Sequence, residues 1–492
     1  MPTALYERLT ALDASFLLLE DHDAHMHVGS VALFDLGPLR GAHGGLDMER
    51  VLARAGEALA AQPRFRERLT TTPLFGDPVW VDDPHFNLAY HVRHAALPAP
   101  GDERQLKRLA GRIMSQQLDR AKPLWVLWFV EGVAGDRFAV IAKLHHCMVD
   151  GIASADLMGA LLRPEREPHA AAGAPAVPRP QPTPARLLAD AVLRRARLPF
   201  ELLRASATAL AAPLQTLGAA GRALGSVGET LRTGLTPAAS TVLNGTLGPH
   251  RRFDWLRVDL AAVKRAARRH DATVNDVVLA ITAGAVGDFL RRRGEPVDGV
   301  DFRAMIPVSI RANSEHHALG NRVSLLMAPL PIDERDPRRR LARVVETMRA
   351  VKRSEQRRGT ELLEAASERL FSDLFARLAR LGARLTPYNL VVTNVPGPPV
   401  PLYLFGAPLR AVYPLVPLFT HQALGIALFS YAGGLYWGFN ADWDALPDLH
   451  ELVTAVEREY AALTEPPRAL ARPRKPTPRR VPAHARPRRR SA

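Results

Sequence analysis

The sequence LHHCMVDG occupies residues 144–151 and follows FAVIAK at residues 138–143. The six residues before it are almost all apolar, include β-branched side chains and lack Pro and Gly, which predicts a largely buried strand. This strand would deliver a histidine pair, His145 and His146, at its end. Asp150 and Gly151 then predict a tight turn into a short helix that ends near residue 162.

Two adjacent histidines cannot both line one cleft if the strand continues through them. Neighbouring residues of a strand point to opposite faces, so a metal site built from His145 and His146 alone is disfavoured. We expect one histidine to be catalytic and the other to be structural. The alternative interpretation is a hydrogen-bonded cluster of two histidines and Asp150 without chemistry.

The composition is that of a globular protein large enough for two domains. The chain has 492 residues, of which 47% are hydrophobic and 23% are charged. Its single cysteine, Cys147, excludes an internal disulfide, and we expect a small buried side chain there rather than a nucleophile. No signal peptide and no apolar run of membrane-spanning length is evident, which predicts a cytoplasmic protein.

The positive charge is concentrated in the last residues. The formal net charge is +15, and residues 467–492 carry nine Arg and one Lys without an acidic residue. The rest of the chain is only mildly basic, so nucleic acid is not the expected partner. The Pro-rich basic tail is predicted to be disordered and able to hold the protein at an anionic membrane or lipid-droplet surface.

Composition also divides the chain. Seven Pro between residues 164 and 184 mark a linker, and the residues after it are rich in Ala, Leu and Arg, which predicts basic helices. These helices either lie on a membrane surface or bridge two domains. The predicted units are a first lobe at 1–163, the linker and basic helices at 164–245, a second lobe at 246–466 and the tail at 467–492.

The histidine string resembles a known active-site motif. His-His, three residues and Asp-Gly is similar to the motif of the coenzyme A-dependent acyltransferase superfamily, which includes chloramphenicol acetyltransferase-like enzymes and peptide-synthetase condensation domains. Further strings, in the right order, resemble the bacterial wax ester synthase/diacylglycerol acyltransferase family. They are MHVG at 26–29, PLW at 123–125, ND at 275–276 and NVPG at 394–397. The chain departs from the family pattern at Val126, where an acidic residue is usual.

The resemblance implies the fold and the substrates. The expected fold class is α/β, with two chloramphenicol acetyltransferase-like lobes, each a mixed sheet flanked by helices, and an active site in a tunnel between them. Acyl-coenzyme A would enter one mouth as co-substrate and a lipid alcohol the other, with no cofactor and no metal. The sequence has no Gly-rich phosphate loop, no Cys-rich metal site and no Gly-x-Ser-x-Gly nucleophile elbow.

The resemblance also implies roles within the motif. His146 is expected to be the general base, and His145 to hold the end of the strand. Asp150 would orient the loop through an ion pair with Arg311, which belongs to a second family-like strand, and Gly151 would permit the turn.

Candidates for the other half of the site lie in the second lobe. Asn275 and Asp276 match a second family string, although they also suit a helix start with Thr273 as N-cap. Thr393 and Asn394 end a predicted strand before a Pro-Gly turn. Either one is a candidate oxyanion donor, and turn capping is the alternative.

The predicted function is O-acyl transfer. A long-chain acyl group would move from acyl-coenzyme A to the hydroxyl of diacylglycerol, a fatty alcohol, or both, in a protein attached peripherally to the inner face of the membrane or to lipid droplets. Two alternatives remain: a condensation-type acyltransferase that uses a carrier-protein thioester, and an inactive lipid-binding homologue.

Overall fold

The computed structural model describes most of the chain. The described residues are 5–60, 62–148, 159–166, 178–211, 237–309, 323–365 and 387–465. The predicted turn at Asp150 and Gly151, the partner Arg311 and the tail at 467–492 lie outside them.

The described residues of the first part of the chain form short and long strands with helices between them. Its strands are β1 (Glu7–Arg8), β2 (His27–Asp35), β3 (Glu67–Thr71), β4 (Pro78–Asp82), β5 (Val92–Ala96), β6 (Trp125–Val133), β7 (Arg137–His145) and β8 (Leu162–Arg163). Its helices are α1 (Ala11–Leu19), α2 (Met48–Leu59), α3 (Leu88–His91) and α4 (Glu103–Ser115), with 3-10 turns at Gly37–Leu39, Pro63–Arg66 and His146–Met148.

The next element is a long helix, α5 (Pro184–Ala211), in the region predicted to hold basic helices. The strands that follow are β9 (Arg251–Asp259), β10 (Arg303–Ser309), β11 (Val323–Pro329), β12 (Leu390–Pro396), β13 (Tyr403–Leu404), β14 (Ala407–Leu415), β15 (Leu424–Tyr431) and β16 (Gly434–Asp442). The helices are α6 (Leu260–Arg269), α7 (Val274–Arg292), α8 (Pro337–Ala365) and α9 (Leu449–Thr464), with a 3-10 turn at Val242–Asn244.

The first lobe is organised around a seven-stranded mixed sheet in the order β5-β6-β7-β2-β14-β13-β8. β5 runs parallel to β6, and β6, β7, β2 and β14 are antiparallel neighbours. β6 is therefore the hairpin partner of the strand that carries the histidines. Two strands of this sheet, β13 and β14, come from residues 403–415, so the second half of the chain completes the first lobe.

The second lobe is organised around a six-stranded mixed sheet in the order β11-β10-β12-β15-β16-β9. β12 lies parallel to both β10 and β15, and β15 and β16 form an antiparallel hairpin. The two mixed sheets flanked by helices confirm the predicted α/β class.

Each sheet has its own hydrophobic core. The first core is built around β2, β6 and β7, and the second is formed by its sheet with α7, which is flanked by helices α8 and α9. Among the described residues no single helix meets the length and hydropathy of a membrane span. α6 and α7 meet that test only as a pair, which is bent by 97°, and most of α7 is buried in the second core.

Candidate active site

Strand β7 holds the histidine pair inside the first sheet, between β2 and β6. His145 is its last residue, and His146 opens the 3-10 turn. The backbone N–H of His145 donates to the carbonyl of Leu124 at 2.9 Å, and that of His146 donates to the carbonyl of Met26 at 2.7 Å. The backbone of the histidine pair is therefore hydrogen-bonded to neighbouring segments on both sides, at the point where β7 passes into the 3-10 turn.

Both ring nitrogens of His145 already face a partner. Nδ1 accepts a hydrogen bond from the backbone N–H of Cys147 at 3.1 Å, so in the neutral ring Nδ1 carries the lone pair and Nε2 carries the proton. Nε2 lies 3.4 Å from Oε2 of Glu20, and both side chains are 1% exposed. Among the described residues Nε2 makes no hydrogen bond, but the ring is too deeply buried to offer a nitrogen to a substrate, which supports the structural role expected for His145.

Glu20 carries the negative charge that lies beside the ring of His145. Burial by itself would raise the pKa of Glu20, but hydrogen bonding and charge from His145, followed by those from Arg120, lower it to about 2. Nε of Arg120 donates to Oε2 at 3.1 Å, and Nε2 of His27 lies 3.7 Å from Oε1. Glu20 is therefore ionised at neutral pH and joins two histidines and an arginine in one cluster.

His146 is in a different environment. Its ring stacks on Phe16, with centroids 3.8 Å apart and an interplanar angle of 22°. Burial lowers the pKa of His146 to about 4; its own carbonyl opposes this change and the neighbouring His145 adds to it. The ring is therefore neutral at physiological pH, as a general base must be before it accepts a proton. The residue keeps some solvent exposure, whereas Nδ1 is buried without a hydrogen-bond partner among the described residues.

Helix α1 supplies the contacts to both rings. Thr10 caps its start by accepting from the N–H of Asp13 at 3.1 Å, and Glu20 is the residue that ends it. Phe16 and Glu20 are four residues apart and so lie on one side of the helix. The sequence alone did not lead us to Phe16 or Glu20. Their four-residue spacing, shortly before the family-like string MHVG, was the signal that could have indicated them.

Three further side chains near the motif are buried in structural positions, as was expected for Cys147. Cys147 is 3% exposed, and burial, followed by the charges of Asp13 and Glu20, raises the pKa of its thiol. His27 is buried, and burial, followed by the charge of Lys143, lowers its pKa. Trp125 is fully buried, and its Nε1 donates to the carbonyl of Phe65 at 2.8 Å, which confirms its place in the core.

Asn275 and Asp276 lie in the first turn of α7. Oδ2 of Asp276 accepts from the backbone N–H and the hydroxyl of Thr273, both at 2.8 Å, and Thr273 accepts in return from the N–H of Asp276 at 3.2 Å. These bonds form a capping box and account for Asp276 as a helix-start residue. Its Oδ1 is buried without a hydrogen-bond partner among the described residues.

Thr393 and Asn394 lie on opposite faces of β12. Asn394 shares its face with Val392, which belongs to the second core, whereas Thr393 shares its face with Val391 and Val395. Of the two candidate oxyanion donors, only Thr393 is on the side away from the second core. The predicted partnership of Asp150 with Arg311 lies outside the described residues, as does Gly151, and the described residues contain no group of three or more His, Cys, Asp or Glu that could hold a metal ion.

Comparison with protein families covers almost the whole chain. Residues 9–278 match the wax ester synthase/diacylglycerol acyltransferase catalytic domain, and residues 319–464 match the C-terminal domain of the same family. A putative diacylglycerol O-acyltransferase of Mycobacterium bovis is 36% identical over 480 residues, which are 96% of this chain and 98% of the relative. A probable diacylglycerol O-acyltransferase of Mycobacterium tuberculosis matches to the same extent.

The solved structure of a family member agrees with this assignment. The wax ester synthase/diacylglycerol acyltransferase from Marinobacter aquaeolei matches with a TM-score of 0.65 and 26% identity, over 93% of this chain and 98% of that one. A condensation domain of the calcium-dependent antibiotic synthetase matches with a TM-score of 0.56 and 19% identity, over 94% and 97%, which is a likeness of fold. The chain belongs to the wax ester synthase/diacylglycerol acyltransferase family.

Proposed function

We propose that the chain transfers a long-chain fatty acyl group from acyl-coenzyme A to the hydroxyl of diacylglycerol or of a long-chain alcohol, with His146 as the general base. The observation that carries the choice of base is the contrast between the two histidines. Both nitrogens of His145 face Cys147 and Glu20 inside a side chain that is 1% exposed, whereas His146 is neutral, keeps some solvent exposure as a residue and, among the described residues, stacks on Phe16.

The reaction needs one proton to be moved twice. The acceptor hydroxyl attacks the thioester carbonyl while His146 takes its proton, and a tetrahedral oxyanion forms. The C–S bond then breaks, the ester is released, and the proton passes from His146 to the departing thiolate of coenzyme A. Because Nδ1 of His146 is buried, Nε2 is the nitrogen that reaches the acceptor.

Other groups assist this step without a cofactor. Thr393 is our candidate donor to the oxyanion, because it lies on the side of β12 away from the second core. Asp150 with Arg311 remains our proposal for ordering the turn after the histidines, and Gly151 for allowing it. Asn275 and Asp276 would place the start of α7 beside the substrate. Acyl-coenzyme A enters as co-substrate, so no prosthetic group takes part.

Both substrates carry lipid chains, and we propose that the protein works at the inner face of the membrane or at a lipid droplet. The first half of α5 supports this location, since Val192 and Leu193 are 48% and 52% exposed and Arg194 and Arg197 are exposed beside them. Apolar side chains next to arginines suit an anionic lipid surface. Co-sedimentation with vesicles containing phosphatidylglycerol tests the location, and recovery of all protein in the supernatant at low salt would contradict it.

The activity is tested by supplying the purified protein with radiolabelled palmitoyl-coenzyme A and either dipalmitin or hexadecanol, with His146→Ala as the blank. We expect labelled triacylglycerol or wax ester and free coenzyme A in equal amounts. If both acceptors fail while an acyl carrier-protein thioester is consumed, the chain is instead a condensation-type enzyme. If no donor is consumed but lipid binds, it is an inactive lipid-binding homologue.

A further inference from the structure

Lys143 is a buried lysine on the strand that carries the histidines. It lies two residues before His145 on β7, so the two side chains share one face of the sheet. Lys143 is 2% exposed, although a lysine is almost never buried without a partner for its charge. Among the described residues its ammonium has no carboxylate partner, and the position opposite it on β6 holds Val126.

The ammonium of Lys143 is bonded instead to the end of α4. Its Nζ donates to the carbonyl of Ile113 at 2.8 Å and also to the carbonyl of Gln116. These carbonyls lie at the C-terminal end of the helix, where backbone acceptors are left over and the helix dipole is negative. Lys143 therefore ties the end of α4 to the sheet.

The loop after α4 is bound to the same face of the sheet at a second point. The N–H of Leu118 donates to Nε2 of His27 at 3.4 Å, and His27 pairs with His145 across β2 and β7. Paired residues of adjacent strands lie on the same face, so His27 and Lys143 hold the loop from neighbouring strands. The loop then reaches Leu124, whose carbonyl accepts from the N–H of His145 at 2.9 Å.

This loop carries the arginine that pairs with the charge beside His145. Nε of Arg120 donates to Oε2 of Glu20 at 3.1 Å, and the same oxygen lies 3.4 Å from Nε2 of His145. The Arg120 side chain is 46% exposed, so it is not fixed by burial. Its approach to Glu20 therefore depends on the attachment of the loop at Gln116 and Leu118.

The same end of α4 also contacts the second lobe. Oγ of Ser115 accepts from the N–H of Arg251 on β9 at 2.8 Å, and a Cβ at Gly111 would lie 2.7 Å from the carbonyl oxygen of Arg251. The helix end is thus held by Lys143 of the first sheet and by the backbone of the second.

The charge of Lys143 changes near neutral pH. Burial, followed by the charge of Arg93 on β5, lowers its pKa from 10.5 to about 7, against the attraction of one carboxylate. The other charged or titratable groups around it, among the described residues, are Glu20, His25, His27, Asp119, His145 and Arg251. Burial lowers the pKa values of His25 and His27, so above pH 7 both rings stay neutral while Lys143 loses its proton.

We infer that Lys143 is a positioning residue for acyl transfer: its ammonium holds the end of α4 and the loop after it, and so keeps Arg120 on Glu20 beside the motif histidines. This assignment rests on the proposed function, because its main readout is the rate of that reaction. A neutral amine binds the two carbonyls more weakly than an ammonium does, and the loop is then held less firmly.

Lys143→Met removes the charge and keeps the length of the side chain. We expect kcat to fall about tenfold with KM unchanged, since a misplacement of about 1 Å costs about 10²-fold and this shift is smaller. Lys143→Arg should keep most of the wild-type rate, because its guanidinium stays charged and the small pocket beside Lys143 gives it room. Lys264→Met, at an exposed position of α6, is the matched control and should equal the wild type.

The pH profile separates this role from a purely structural one. As the pH rises from 7 to 9, kcat of the wild type should fall toward that of Lys143→Met, whereas kcat of both variants should stay level. The wild type should not lose stability through Lys143 over this range, because a lysine with a pKa lowered from 10.5 to about 7 binds fewer protons in the folded state than in the unfolded state. The melting temperature at each pH checks this.

Two results would overturn the assignment. One is an alkaline fall in kcat that persists in Lys143→Arg, and the other is a Lys143→Met protein that turns over at the wild-type rate. If Lys143→Met does not fold, the pH profile of Lys143→Arg decides alone.

Arg120→Gln tests the path through the loop. Arg120 is partly exposed, so this variant should fold. If Lys143 acts through Arg120, the double variant Lys143→Met/Arg120→Gln should lose no more kcat than the slower single variant. Losses that multiply would show that Lys143 does not act through Arg120.

Hydrogen exchange provides a readout that does not depend on turnover. At pH 7 the peptide that spans residues 116–124 should exchange faster in Lys143→Met than in the wild type or in Lys264→Met, and equal rates would contradict the assignment. If the wild-type protein transfers no acyl group, the proposed function fails, whereas this comparison still decides whether Lys143 holds the loop.

Discussion

Replacing Glu20 with glutamine tests how the motif histidines are held. The substitution keeps the size of the side chain and removes the negative charge that lies 3.4 Å from Nε2 of His145 and accepts from Nε of Arg120 at 3.1 Å. The Glu20 side chain is 1% exposed, so water has little access to replace the lost charge. The variant therefore leaves His145 without its anion.

The size of the effect follows from the pKa of Glu20. His145 and Arg120 lower it, against the effect of burial, from 4.5 to about 2. This difference of about 2.5 pH units corresponds to about 3 kcal/mol of folding free energy. A lowered carboxyl pKa stabilises the folded state above pH 4.5, and this contribution is lost as the pH falls from 4.5 toward 2. Because Arg120 is partly exposed and regains water in the variant, we expect Glu20→Gln to lower the free energy of unfolding at pH 7 by about 2 kcal/mol.

Urea denaturation of wild type and variant, at pH 7 and at steps down to pH 3, measures this effect. The wild type should lose stability more steeply than Glu20→Gln below pH 4.5. Turnover at pH 7 should fall about tenfold, because a displaced His145 moves the adjacent His146. Glu457→Gln, at an exposed position of α9, is the control and should match the wild type. The explanation fails if Glu20→Gln is as stable as the wild type at pH 7, or if both lose stability with the same slope below pH 4.5.

Three other outcomes are expected. Phe16→Leu removes a ring stack worth about 1 kcal/mol, so kcat should fall about fivefold with KM unchanged; an unchanged kcat would show that the stack does not position His146. Since the base must be unprotonated and the pKa of His146 is about 4, kcat/KM should stay level from pH 7 to 5 and fall below about 4.5; a fall centred near pH 6.5 would contradict this pKa. Burial raises the pKa of Cys147, so iodoacetamide should label the native protein far more slowly than the urea-unfolded protein, and equal rates by mass spectrometry would place the thiol at the surface.

The parts of the fold that were predictable are those set by local pattern. The apolar run before His145 predicted β7. Thr273 with Asp276 three residues later predicted the start of α7. In each case the residues that carry the sequence pattern lie within a few positions of the helix or strand that they predict.

The parts that were not predictable depend on contacts between distant residues. Glu20 and His145 are 125 positions apart in sequence, and nothing near either residue encodes their approach. The same holds for β14, whose Leu415 pairs with Gly29 although the chain around it belongs to the second lobe.

The most direct test of the central claim is the turnover of His146→Ala with palmitoyl-coenzyme A and dipalmitin, measured beside its melting temperature. General base catalysis contributes roughly 10² to 10⁴-fold, so kcat should fall by that factor while the protein stays folded. Added imidazole should restore part of the lost rate. A folded His146→Ala protein that turns over at the wild-type rate would contradict the assignment of His146 as the base.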